Sequence, residues 1–251
     1  MPSAGTSLIY EDFVLPTKLP VRCVTINNPA KRNCLTCADL RALRELSAGA
    51  PQSIFALMAA SGAFCSGLDL NELIAAAKTD DGIASIIREL VETYTALTQH
   101  PQRTVSIVDG SAIGAGVGLA LSFDFVVTTP VTYFELPQEP GRRPLVNTAL
   151  PLVHRRTQYW SVGRIDASEL ISRGLVDFVE NARPNDARIL EFCQLTFDMN
   201  KSTTSAVDRR PLGAKEMSAV LAEACRPENI QLAKDFYLEM EAKKKNPPPK
   251  I

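Results

Sequence analysis

The sequence predicts an α/β fold, and three observations carry that prediction. Short runs rich in Val and Ile alternate with longer segments whose apolar residues recur at helical spacing, and this order persists through about the first 180 residues. Small-residue turns join the runs, and Asp or Thr stands where several helices would begin. A length of 251 residues suits one large domain, or one and a half, with a sizeable core.

The first strand is Val21 to Ile26, VRCVTI, closed by Asn27, Asn28 and Pro29. After the basic NPAKRN turn, Thr36 can cap a helix running from Asp39 to Leu46, with Leu40, Leu43 and Leu46 on one face. Ile54 to Met58 is a short buried-type strand. Asp69, three residues before Glu72, forms a capping-box pattern ahead of a helix rich in Leu and Ala. A longer helix follows from Ile83 to Thr98, its apolar face made of Ile83, Ile86, Ile87, Leu90, Val91, Tyr94 and Leu97. Thr104 to Val108 is a strand, followed by a glycine-rich turn, a helix-like LALSF and the strand FVVTT. Asp166 and Glu169 make another capping box, their helix stops at Gly174, and Leu175 to Val179 returns as a strand. We divide the chain into a core over residues 1–190 and a helical region over 191–251, ending in a flexible Pro/Lys tail.

Composition excludes several function classes. With 27 Lys plus Arg against 28 Asp plus Glu, the net charge of -1 supplies no field for nucleic acid, so no nucleic-acid partner is expected. No apolar window approaches 18 residues, so a transmembrane helix and a membrane partner are not expected, and the compartment stays open. Two His and six scattered Cys point to no metal and to reduced thiols, the CxxC of Cys34 and Cys37 included.

Two segments carry chemistry. In GAFCSGLDLNEL (Gly62 to Leu73), Ser66 and Gly67 allow a ligand close to the backbone, and the turn leaves amide N–H groups unpartnered. In DGSAIGAGVGLALSFDF (Asp109 to Phe125), a helix start again offers free N–H groups to developing negative charge. A dinucleotide fingerprint fails there, because Leu119 occupies its third glycine position. A P-loop fails as well, since no Lys lies between Thr104 and Pro144. Two amide-presenting turns brought together would make an oxyanion hole, each donor contributing roughly 3 kcal/mol to a transition state.

From the NPAKRNCLT turn through FCSGLDL and VDGSAIGAGVGLALSFDF to GRIDASELISRGLVDFV, the chain resembles the crotonase superfamily, the enoyl-CoA hydratase/isomerase family. The resemblance implies a spiral of strand, strand and helix, an acyl-coenzyme A thioester as substrate, and C-terminal helices that pack against a neighbour in a homotrimer or hexamer. It implies no separate cofactor, coenzyme A being part of the substrate. It assigns the oxyanion donors to the amides of Leu68 and Ala115. Substrate binding falls to Lys31, Arg32, Cys34, Ser66, Gly67 and Gly114, where the two cations suit a ligand bearing several phosphates.

Departures from the family pattern bear on the reaction. One family Glu falls on Gly118, and the second falls on Gln138 or, with a one-residue gap, on Glu139. A desolvated Glu can act as a base and Gln cannot. One carboxylate suits Δ3,Δ2-enoyl-CoA isomerisation better than hydration. Glu139 is therefore the candidate base, with Glu135 in reserve. The alternatives are a hydratase or another thioester enzyme of the same fold, and an acyl-CoA-binding or scaffold protein without turnover. Arg142 and Arg143 replace small apolar residues and either narrow the acyl pocket or lie exposed, while His154 is expected to be a packing residue.

Overall fold

Ten strands divide between two sheets in the computed structural model, which describes residues 5–50, 54–60, 62–150, 152–153, 160, 162–179 and 214–245. In chain order they are β1 (Leu8–Val14), β2 (Pro20–Ile26), β3 (Ile54–Ala59), β4 (Ala63–Cys65), β5 (Arg103–Val108), β6 (Ser111–Ile113), β7 (Phe125–Thr128), β8 (Tyr133–Leu136), β9 (Gly163–Asp166) and β10 (Phe178–Val179). One sheet has the order β1-β2-β3-β5-β7-β10 and the other β4-β6-β8-β9. The consecutive pairs β3/β4, β5/β6 and β7/β8 each give one strand to either sheet, which produces the expected spiral. Pairing is parallel except between β1 and β2 and between β8 and β9. The parallel strands β5 and β7 are almost wholly buried, and the polar Ser106 of β5 is accommodated by donating to the Ala120 carbonyl at 2.9 Å.

The helices are α1 (Cys37–Ala48), α2 (Leu70–Ala77), α3 (Gly82–Thr98), α4 (Ala115–Leu121), α5 (Arg143–Asn147), α6 (Ala167–Ser172), α7 (Ala214–Ala224) and α8 (Pro227–Lys245). The apolar stripe expected on α3 is buried at all seven positions, and Leu40, Leu43 and Leu46 of α1 join the same core. Of the regions given above as 1–190 and 191–251, the boundary and the tail beyond residue 245 lie outside the described residues, as does His154. In this chain α8 packs along α2, α5 and the 3-10 turn Pro140–Arg142. Among the described residues no helix is long and apolar enough to cross a membrane.

Three helix starts test the capping expectations. Thr36 accepts from the Asp39 amide at 3.1 Å and Asp39 accepts from the Thr36 amide at 2.8 Å, a complete box. At α2 the box is only half made. Asp69 accepts from the Asn71 and Glu72 amides at 2.8 and 3.2 Å, but Glu72 reaches instead to the Cys37 amide at 2.9 Å and so serves the start of α1. At α6 Asp166 caps the Ser168 and Glu169 amides, while Glu169 turns to Arg173. The strand expected at Leu175 shrinks to Phe178–Val179, because the Leu175 and Val176 amides bond back to the Leu170 carbonyl in closing the helix.

Strand β1 was missed because its burial does not alternate: it is an edge strand exposed along most of its length, with Asp12 bonded to Arg22 of β2 at 2.7 Å. The Cys34 and Cys37 thiols are pushed up to about 11 and about 12, chiefly by burial and then by neighbouring Asp69 and Glu72 respectively. Burial likewise pushes the Asp69 carboxyl up. The Lys31 ammonium and the Glu72 and Asn71 amides outweigh that and hold it below its ordinary range.

Two predictions follow from this packing. Helix α4 lies so close to β4 that a Cβ on Gly116 would stand 2.3 Å from the Cys65 carbonyl oxygen. Gly116→Ala should therefore lower unfolding free energy by about 1–3 kcal/mol, read from urea midpoints. Asp69, with its folded pKa lowered, contributes stability that is present above its ordinary pKa of 3.8 and lost as pH falls through the lower folded value. In an acid titration of stability, the gap between the parent protein and Asp69→Asn should close below that range; a gap unchanged with pH would refute the Asp69–Lys31 contribution.

Candidate active site

The site forms where two strand-to-helix turns leave the smaller sheet side by side. Strands β4 and β6 pair in parallel, Ala63 beside Ser111 and Cys65 beside Ala112, so the turns into α2 and α4 emerge at the same edge. Gly67, at φ 93°, holds the first turn in a conformation that disfavours any side chain, and a Cβ there would meet the Ile113 carbonyl at 3.0 Å and the Ala115 nitrogen at 3.7 Å. Leu35 donates to the Gly67 carbonyl and Asp69 donates to the Leu35 carbonyl, both at 2.8 Å, so the intervening Leu68 N–H faces away from that bridge. On the second turn, Gly114 donates to the Glu135 carbonyl at 2.8 Å and Ala115 opens α4. Among the described residues no acceptor is paired with the Leu68 or the Ala115 N–H, as befits groups at a helix start.

Both residues line one cavity of about 360 Å³. At one end stand Lys31, Asp69, Asn71 and Lys244, tied by Lys31–Asp69 at 2.6 Å and Lys244–Asn71 at 3.3 Å. Elsewhere the wall is made by Leu73, Leu145, Val146, Pro137, Arg142 and Tyr237. Asp69, 5% exposed, is the one carboxylate among the described lining residues, and capping together with Lys31 commits it. A base needs an available carboxylate, so this geometry gives Asp69 no such part.

Gly118, the family position for a first Glu, is closed by packing. A Cβ there would stand 2.6 Å from both Cζ and Oη of Tyr94, whose hydroxyl donates to the Ala115 carbonyl at 2.8 Å. Tyr94 is fully buried and outside the cavity lining, so it braces the first turn of α4 without facing a ligand.

The other expected residues divide. Lys31, Cys34, Ser66, Gly67, Leu68, Gly114 and Ala115 are brought together around the cavity. Arg32 is not: at φ 53° it follows Lys31 in left-handed backbone, its side chain turns toward Ser111 at 3.4 Å, and it lines two neighbouring cavities. Glu139 and Glu135 also fall outside. Glu139 lies half exposed just before the Pro140–Arg142 turn, 3.9 Å from Arg142 Nε, and lines an adjacent cavity with Glu135 and Gln138. The two cavities share Ile113, Pro137 and Arg142 as their common wall. Glu135 reaches the site only through its backbone carbonyl on Gly114. Arg143 is exposed and Arg142 is half-buried in the wall, so the open question of the two arginines resolves differently for each.

Sequence reasoning missed Tyr237 and Lys244, both supplied by α8. Burial pushes the Tyr237 hydroxyl up to about 12. Its apolar neighbours in sequence signalled a packed helix but not its location. Within the Lys243 to Lys245 run, Lys244 turns into the site while Lys243 and Lys245 pair with Glu239 and Glu241.

A family model described as Enoyl-CoA hydratase/isomerase matches residues 21–139, a stretch from β2 through both turns to Glu139. The chain is 31% identical over 130 residues to the Mycobacterium tuberculosis protein named "Probable enoyl-CoA hydratase EchA14", covering 50% of each, so it spans about half the length of that relative. It is 26% identical over 235 residues to the 2,3-dehydroadipyl-CoA hydratase of Escherichia coli K12, covering 88% of each. In structure it resembles an enoyl-CoA hydratase/isomerase from Marinobacter aquaeolei, with a TM-score of 0.64 at 19% identity over 96% of this chain and 92% of that one. A Thermobifida fusca YX protein determined in complex with acetoacetyl-CoA superposes with a TM-score of 0.57 at 20% identity, over 96% of each chain. With the spiral fold, the paired turns and these matches together, the chain has the fold of the enoyl-CoA hydratase/isomerase structures and is similar in sequence to that family over residues 21–139.

Proposed function

We propose that the protein binds acyl-CoA thioesters and stabilises their enolates, acting as an enoyl-CoA isomerase that moves a double bond from position 3 to position 2. One observation carries the reading: two amides, of Leu68 and Ala115, without acceptors among the described residues, line a single cavity. Such donors favour an oxyanion over the ground-state carbonyl, and each contributes roughly 3 kcal/mol. Lys31 and Lys244 at one end of the cavity suit the phosphates of coenzyme A. The family-model match over residues 21–139 and the acetoacetyl-CoA complex of a structural relative support the same ligand class. Assembly as a homotrimer or hexamer belongs to this reading.

Isomerisation needs one proton carrier. In the proposed step, Glu139 takes the proton from C2, the C2–H electron pair forms the C1–C2 double bond of a dienolate, and the thioester oxygen takes up the charge against the two amides. The carboxylic acid then returns the proton at C4, leaving the double bond at C2–C3. Glu139 lines the adjacent cavity and must swing over the wall of Pro137 and Arg142 to act. Two-carboxylate hydration is disfavoured by Tyr94, which fills the space a side chain at position 118 would need.

Acyl-CoA binding without turnover is the second reading, favoured by the absence of an uncommitted carboxylate among the described residues lining the cavity. Assays of 3-enoyl-CoA and 2-enoyl-CoA side by side separate the readings. Isomerisation of the first, with little hydration of the second, is the expected result, and Glu139→Gln should lower it at least 100-fold, on the order of a general base's contribution. Binding with no turnover of either ester would establish the second reading, and full isomerisation by Glu139→Gln would remove Glu139 from the mechanism. Proline is tolerated at the first position of a helix but lacks an N–H, so Ala115→Pro should reduce kcat by about 100-fold or more while leaving the far-ultraviolet circular dichroism unchanged.

A further inference from the structure

Arg142 has no hydrogen-bond acceptor for its side chain among the described residues. Its Nε is buried and unpaired, a costly state for a charged donor. The one nearby carboxylate, Glu139, stands 3.9 Å from Nε, beyond hydrogen-bond distance, and is half exposed, so it contributes little. The guanidinium is nonetheless held in place. It lies over the Phe236 ring at 5.6 Å, and Phe236 packs so tightly on the turn that a Cβ on Gly141 would stand 2.0 Å from its own Cβ. Helix α8 thus fixes a cation that faces the cavity with no hydrogen-bond partner among the described residues.

Its place along the cavity identifies what it can recognise. Lys244 and Tyr237 are seven residues apart on α8, about 10 Å along the helix axis. Lys244 stands at the Lys31 end, while Tyr237 stands beside the turn that carries Arg142. If the phosphates take the lysines, the acyl chain runs toward Leu145, Val146 and Arg142, and an all-hydrocarbon chain would end against a guanidinium whose buried Nε has no acceptor among the described residues.

We propose that Arg142 is a specificity-determining residue that selects acyl-CoA thioesters whose acyl chain ends in a carboxylate. The planar fork of the guanidinium can take both carboxylate oxygens, which satisfies its unpaired donors and fixes the far end of the chain. The proposal rests on the acyl-CoA reading given above and adds the class of acyl group.

The test compares hexanoyl-CoA with adipoyl-CoA, which share a six-carbon acyl chain and differ in a terminal methyl or carboxylate, by calorimetric titration of the full-length protein. The expected result is adipoyl-CoA bound at least about tenfold more tightly, as a charge-assisted pair warrants. Arg142→Met should bring the ratio of the two affinities to near one, and Arg142→Lys should keep part of it. Because a ratio is read, general weakening of either variant cancels, and the lysine variant decides the matter where the methionine variant fails to fold. Equal affinity in the parent protein, or an undiminished preference in Arg142→Met, would overturn the proposal while leaving the acyl-CoA reading intact. Binding of neither ester would overturn both.

Discussion

The close approach of two backbone turns is the constraint on which the rest of this molecule depends. Gly67 sits against the Ile113 carbonyl and the Ala115 nitrogen, and Gly116 against the Cys65 carbonyl, at separations that leave little or no room for a Cβ. The parallel pairing of β4 with β6 brings the turns to one edge, and the spiral exists because successive strands alternate between the sheets. The bridge of Leu35 with Leu68 and the Glu135 carbonyl on Gly114 then aim the two amides by using up their neighbours' hydrogen-bonding groups. Helix α3 closes the arrangement from behind, since Tyr94 takes the space beside Gly118 and ties down the Ala115 carbonyl.

Charge is arranged around this backbone cradle with an economy that leaves few groups uncommitted. Asp69 caps α2, pairs with Lys31 and accepts from the Cys34 thiol at 3.5 Å, so one buried carboxylate organises the cationic end of the cavity. Glu72, freed from its expected box, links α2 to α1 through the Cys37 amide. Arg142 stands apart from this pattern, because packing on Phe236 holds its position while its buried Nε finds no acceptor among the described residues.

Legibility in the sequence followed the range of the interaction. The stripe on α3, the cap at Thr36 and the short strand runs of β3, β5 and β7 were readable because each is set by residues within a few positions of one another. The two small-residue turns were readable for the same reason. Edge strand β1 was not, since its partner lies across a turn and its side chains are mostly exposed. The placement of Arg32, Glu135 and Glu139 outside the first cavity depends on left-handed backbone at residue 32 and on the turn at 140–142, neither of which leaves a periodic signal.

The sequence by itself determined that the chain alternates strands with helices, that two turns expose backbone amides, and that the usual carboxylate positions fall on Gly118 and on Gln138 or Glu139. Those are local properties of side-chain size and pattern. Tertiary structure alone decided that the two turns face one cavity, that Tyr94 fills the missing carboxylate's space, and that α8 returns from far along the chain to supply Tyr237 and Lys244 and to seat Arg142. Contacts between residues 100 or more apart arise from the packing of whole elements, and no spacing in a linear sequence encodes which faces will meet.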